Sequence, residues 1–217
     1  MMKKFFSAML MITSVVCADA IPQENEASKP SFHEYHNRIS VFGPLHQTYE
    51  RIKPNAFYAG VEAWLVGAFS NDKGSCAALL GEAEVRFGYN FFWNGRDHFT
   101  PFAGGGVLRD FEEEHINHRH IMKPAVGYGV IGFLYDHEFN AWFNLGCNVK
   151  GLIGGAGHNR LSWGSPIVGV DVALPITFRF GYHKRWDLRL EPFDLYLHGT
   201  QLSRNYVGGR GTIGYRF

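Results

Sequence analysis

Residues 165–182 read SPIVGVDVALPITFRFGY, and apolar side chains return at every second position. Val168, Val170, Val172, Leu174, Ile176, Phe178, Phe180 and Tyr182 fall in one phase. Gly169, Asp171, Ala173, Thr177, Arg179 and Gly181 fall in the other, with Pro175. A repeat of two belongs to a strand, whose successive side chains point to opposite sides, and it excludes a helix. The stretch must therefore lie in a sheet with one apolar and one polar face. Taken alone, such a strand suits a soluble sheet as well as a barrel.

The same texture recurs along residues 55–217. In LLGEAEVRFGYNFFW, Gly81, Ala83, Val85, Phe87, Tyr89 and Phe91 alternate with Glu82, Glu84, Arg86, Gly88 and Asn90. FYAGVEAWLVGAF, PAVGYGVIGFLY, FNAWFNLGCNVKGLI and YVGGRGTIGYRF behave likewise. HFTPFAGGGVLRDF has no clear facing because Gly104–Gly106 occupy its middle, and Pro192 in DLRLEPFDLYLH predicts a bulge or kink. These make eight strands. The connections alternate in length, with long polar ones such as 110–122 and short ones at 94–97, 136–138 and 183–186. No run of ~18 apolar residues follows the first twenty positions, so no transmembrane helix is expected. Aromatic residues nevertheless make up 16% of the chain, with 26 glycines. In lipid only helices and closed barrels satisfy every backbone group. An even number of spanning strands, with connections long on one side and short on the other, is the pattern of bacterial barrels. The predicted fold is all-β, an antiparallel eight-stranded transmembrane up-and-down β-barrel over residues 55–217.

The N-terminal twenty residues carry Lys3 and Lys4, an apolar run from Phe5 to Cys17, and small residues at Ala18 and Ala20. That arrangement predicts a secretory signal peptide over 1–20. Its removal takes Lys plus Arg from 21 to 19 and Asp plus Glu from 20 to 19, leaving no net charge and no basic face for nucleic acid. Residues 21–54 contain Pro22, Pro30, Pro44 and Pro54 and read as a polar, largely irregular leader with a short helix in HQTYERIK. Cys76 and Cys147 remain and are expected to be unpaired thiols.

The chain ends on Ile213, Tyr215 and Phe217 in one phase. A last strand closing on Phe, with an aromatic residue two positions earlier, resembles the signal read by the barrel-assembly machinery. FTPFAGGGV resembles the TPYxGxGxG strand of small bacterial outer-membrane β-barrels, the OmpA/OmpX- and opacity-type superfamily. The resemblance covers about residues 57–217. It implies residence in the bacterial outer membrane as a monomer, with membrane lipid and the assembly machinery as partners and a ligand at the extracellular loops.

Inward phases place Glu62, Glu82, Glu84, Arg86, Asp171, Arg179, Arg189, Glu191, Arg210 and Arg216 in the lumen. Charges removed from water must be paired, so a side-chain-filled lumen is expected, and an ion path is the alternative. Trp93, Trp163 and Trp186 fall near strand ends, where interfacial girdles form, whereas Trp64 and Trp142 fall in the polar phase. His115, His118 and His120 lie beside Glu112, Glu113 and Glu114, but their spacing matches no closed zinc site. No metal or cofactor is expected. His198, Ser203 and Glu191 form the best candidate set for a lipid-modifying enzyme, which requires His198 within hydrogen-bond reach of Ser203. They lie in no recognisable catalytic motif, and Glu191 points inward by phase. The expected function is a structural, surface-exposed binding module without catalysis. A small pore is the runner-up and a lipid-modifying enzyme the third reading.

Overall fold

The computed structural model describes residues 35–43, 45–70, 76–111, 113–116, 119–122, 125–156, 166–199 and 203–217. The signal segment, Trp163 and the side chains of Cys76 and of residues 112–120 lie outside the described set. Among the described residues the molecule is all-β. Its strands are β1 (Asn37–Phe42), β2 (His46–Arg51), β3 (Ala56–Ser70), β4 (Cys76–Trp93), β5 (Asp97–Asp110), β6 (Glu113–Ile116) and β7 (Arg119–Met122). They continue with β8 (Val126–Asn140), β9 (Phe143–Ala156), β10 (Ile167–Ala173), β11 (Ile176–Phe180), β12 (Trp186–Gly199) and β13 (Ser203–Arg216). A single 3-10 turn, Tyr182–Lys184, joins β11 to β12.

Eleven of these strands form one antiparallel sheet that closes into a ring, and β6 and β7 pair separately as a hairpin. The expected count of eight is therefore wrong, for two physical reasons. The first is the leader. Residues 37–42 and 46–51 are neither irregular nor helical; they form the hairpin β1–β2, paired rung for rung from Asn37↔Arg51 to Phe42↔His46. This hairpin is wedged into the wall between β13 and β3. β1 takes the end of β13 (Val41↔Ile213 to Arg38↔Arg216) and β2 takes the start of β3 (His46↔Trp64 to Glu50↔Gly60). Beyond its tip β13 and β3 meet directly, but only over Tyr206–Gly208 and Ala68–Ser70. A circuit at the β10 end crosses β3, β4, β5, β8, β9, β10, β12 and β13, eight strands. At the opposite end β11 replaces β10 and the hairpin adds two, making ten.

The second reason is proline. The eighteen-residue alternation breaks at Leu174–Pro175 into β10 and β11, both held between β9 and β12. Pro192 on β12 stands opposite this break. Neither proline has an N–H to donate, so ladder bonds fail there, and their carbonyls accept from Gly146 and Leu174 instead. Pro192 itself produces no bulge, contrary to expectation: β12 stays paired with β13 without interruption from Trp186↔Tyr215 to His198↔Ser203.

The turn at Asn94–Gly95 adopts the left-handed conformation at both residues (φ 54° and 65°), as the asparagine–glycine pair dictates. The turn expected at 136–138 lies instead at Ala141–Trp142, because β8 runs on to Asn140. That shift takes Trp142 out of any strand phase and leaves it exposed. Trp64 does lie on the inner face.

Candidate functional site

The two faces of the ring are inverted relative to a water-soluble protein. Along β4, Glu82, Glu84, Arg86 and Asn90 are buried inside, while Val85, Phe87, Tyr89 and Phe91 are 40–53% exposed outside. On β10, Asp171 is buried and Val168, Val170 and Val172 face out. The outward rings at the short-turn end meet in tilted pairs. Tyr89–Phe91, Trp93–Phe99, Phe139–Phe143 and Trp186–Tyr215 have centroids 4.9, 6.2, 5.6 and 4.9 Å apart.

Glu62, Glu82, Glu84, Arg86, Asp171, Arg179, Glu191, Arg210 and Arg216 are buried on the inner face, Arg189 is largely buried there, and ion pairs link them to neighbouring strands. In the middle of the ring, Lys150 on β9 lies 3.2 Å from Glu82, 3.3 Å from Glu84 and 3.2 Å from Asp171. Tyr128 on β8 hydrogen-bonds both glutamates. Arg210 on β13 pairs with Glu191 at 2.6 Å and approaches Asp171 at 3.7 Å. Its guanidinium also sits 5.1 Å from the Trp64 ring and 4.8 Å from that of Phe193, which explains an inward tryptophan. Arg86 bridges Glu62 and Glu84, and Arg189 lies 3.0 Å from Glu191.

The inward glycines let the neighbouring backbone and the Tyr128 ring approach closely. A Cβ on Gly104 would lie 2.0 Å from the Val85 carbonyl, and one on Gly106 would strike the Tyr128 hydroxyl at 2.6 Å. The glycine strand thus faces inward at its even positions, which settles its phase.

Several members were missed. Asp187 on β12 is gripped by Arg38 at 2.5 Å and Arg216 at 3.1 Å. Arg38 also pairs with Glu50, and His46 contacts Glu62 at 2.9 Å. Arg38, His46 and Glu50 all come from the hairpin. NRISVF sets Arg38 and Ser40 against Ile39 and Val41, but HQTYER is polar in both phases apart from Tyr49, and each is only six residues long. Arg179 pairs with Glu138 at 3.1 Å. Towards the long connections the inner face becomes apolar, with Leu80, Leu108, Val126, Leu152, Ile167 and Leu197 buried around Tyr206. There Tyr206 donates to Asp110 at 2.8 Å, and Arg204 pairs with the same carboxylate at 3.0 Å.

Two small cavities lie inside the ring among the described residues. One, of about 10 Å³, is lined by Arg38, His46, Glu50, Glu62, Arg86, Arg189 and Glu191 among others, and has room for about one water molecule. The other, of about 40 Å³, lies nearer the short turns between Tyr58, His98 and Arg216.

No protein-family model, curated protein or solved structure matches the chain.

The chain end lies at the rim with the short turns. The Phe217 carbonyl accepts from the His36 and Asn37 amides at 3.1 and 3.0 Å, and its ring faces outward, half exposed. Ile213 and Tyr215 share that outer face. In the adjoining turn Arg185 lies 5.7 Å from the Tyr35 ring, and hydrogen bonds to Tyr215 and Tyr35 raise its guanidinium above its ordinary pKa. Among the described residues no cluster of three metal-ligating side chains occurs. Of the candidate enzyme set, His198 and Ser203 are brought into contact, with Nδ1 2.5 Å from Oγ. Glu191 is not brought to them: it is buried inside and committed to Arg210 and Arg189.

Proposed function

We propose that the protein is a monomeric outer-membrane β-barrel whose filled lumen makes it a rigid scaffold for surface-exposed connections. The observation that carries this reading is the inversion of polarity. Among the described residues fifteen Asp, Glu, Lys and Arg side chains are buried while thirty-one large apolar ones are exposed, which is costly in water and favourable in lipid. The outward aromatic rings at the short-turn end match an interfacial girdle. Ion pairing through the middle and the short-turn end of the lumen, with cavities of about 10 and 40 Å³ among the described residues, favours the scaffold over a pore. The long connections supply the binding surface. Ile213, Tyr215 and Phe217, displayed outward on the last strand, are the residues for the assembly machinery to read.

The test is fractionation of cells followed by gel mobility in detergent. The protein is expected in the outer-membrane fraction and to migrate faster before boiling than after. Recovery in the soluble fraction, with no heat-dependent shift, would sink the membrane reading. Phe217→Leu tests the assembly role: it should lower surface levels in cells yet refold normally in detergent.

A further inference from the structure

The outer wall carries a hydrogen-bonded pair that the charge network does not use. His198 lies on the outer face of β12 and Ser203 opens β13, directly across the ladder. The imidazole Nδ1 is 2.5 Å from the serine Oγ, and both residues are exposed. The surroundings differ from those of an ordinary polar loop. Val168, paired with His198 on the other side, is 44% exposed, and Tyr196, the next outward residue of β12, is 47% exposed. The pair thus stands where the apolar outer face meets the end of the wall with the long connections.

We propose that Ser203 and His198 form a nucleophile and general-base pair that cleaves carboxylic esters of membrane lipids. The substrate class rests on the membrane reading above; the chemistry of the pair does not. In the tautomer with its proton on Nε2, Nδ1 accepts the hydroxyl hydrogen as Oγ attacks the ester carbonyl carbon. The carbonyl–oxygen single bond to the alcohol then breaks, and the departing alcohol takes the proton from the imidazolium. Water, deprotonated by the same nitrogen, attacks the acyl-serine, releasing the fatty acid and returning a proton to Oγ. No oxidant or further co-reactant is needed. The position fits the substrate: the ester groups of a lipid lie at the border between apolar chains and polar headgroups, as the pair does.

The full chain, folded in detergent and verified by its heat-dependent mobility, is treated with a fluorophosphonate probe. It is also assayed on 4-nitrophenyl butyrate and on phosphatidylethanolamine in mixed micelles. Ser203 is expected to be labelled and both esters to be cleaved. Ser203→Ala should abolish labelling and turnover, and His198→Gln should lower turnover by ~10²–10⁴-fold, with both variants keeping the folded band. Absence of labelling in folded protein, or turnover that survives Ser203→Ala, overturns the proposal while leaving the membrane reading intact. Serine-dependent cleavage of the soluble ester alone overturns the lipid substrate. Failure of the membrane reading shows separately, as loss of the heat-dependent shift.

Discussion

Val170 and Asp171 are neighbours in the chain with opposite surroundings. Val170 is 47% exposed on the outer face and Asp171 is buried beside Lys150 and Arg210. Val170→Arg should cost ~2–4 kcal/mol near the middle of a bilayer and abolish the folded band. Asp171→Asn should be much milder, because Lys150 keeps Glu82 and Glu84. Equal loss in both variants would remove the inside and outside assignment. Lys150 is the more sensitive inward position. Lys150→Met leaves three carboxylates facing one another without their shared cation, and removal of one partner from a buried pair costs ~3–5 kcal/mol. The denaturant midpoint in detergent should fall accordingly, and an unchanged midpoint would show that water or protons neutralise the cluster. The alternation made the facing of both residues legible. It did not reveal which carboxylates Lys150 meets, because those lie on β4 and β10, far away in sequence.

The hairpin β1–β2 changes what the ring is. It supplies the partners of β13 and β3 at the short-turn end and brings Arg38 to Asp187 and Glu50. Its location yields a direct check. Val41 and Ile213 are cross-strand neighbours on the outer face, so Val41→Cys with Ile213→Cys should form a disulfide on mild oxidation, visible as a mobility change without reductant. An unlinked double variant would place the hairpin elsewhere. The hairpin escaped notice because a six-residue strand shows only three positions in each phase, too few to stand out beside four prolines. The break between β10 and β11 escaped for another reason. Pro175 keeps the side-chain phase, so the pattern of residues runs on while the hydrogen-bond ladder does not.

Across the full ring, polarity runs the opposite way from a water-soluble protein, and the lumen is itself divided. Ion pairs fill the middle and the short-turn end, and leucines, Val126 and Ile167 fill the approach to the long connections. Ions entering from either side would have to displace one or the other. Purified protein in planar bilayers is therefore expected to show no stepwise conductance under conditions where it has inserted. Regular channel openings would revive the pore. The apolar inner layer was present in the inward phases all along, at Leu80, Leu108 and Leu152. An inward leucine carries no mark in the sequence, because burial is ordinary for an apolar side chain and exceptional for a charged one.

Period two is a local property of the extended backbone, and it survives in any window of about eight residues. That is why the all-β class and the facing of long strands such as β4 are legible in the sequence. Pairing is not local. Whether residues 37–51 join the wall, where the chain turns between β8 and β9, and which cation meets Glu82 all depend on strands brought together from distant positions. His198 and Ser203 show the boundary most clearly. Their five-residue separation made contact conceivable, but the register of β12 against β13 decided that imidazole and hydroxyl meet, while the inward twin phase of β12 carried Glu191 to the other side of the wall.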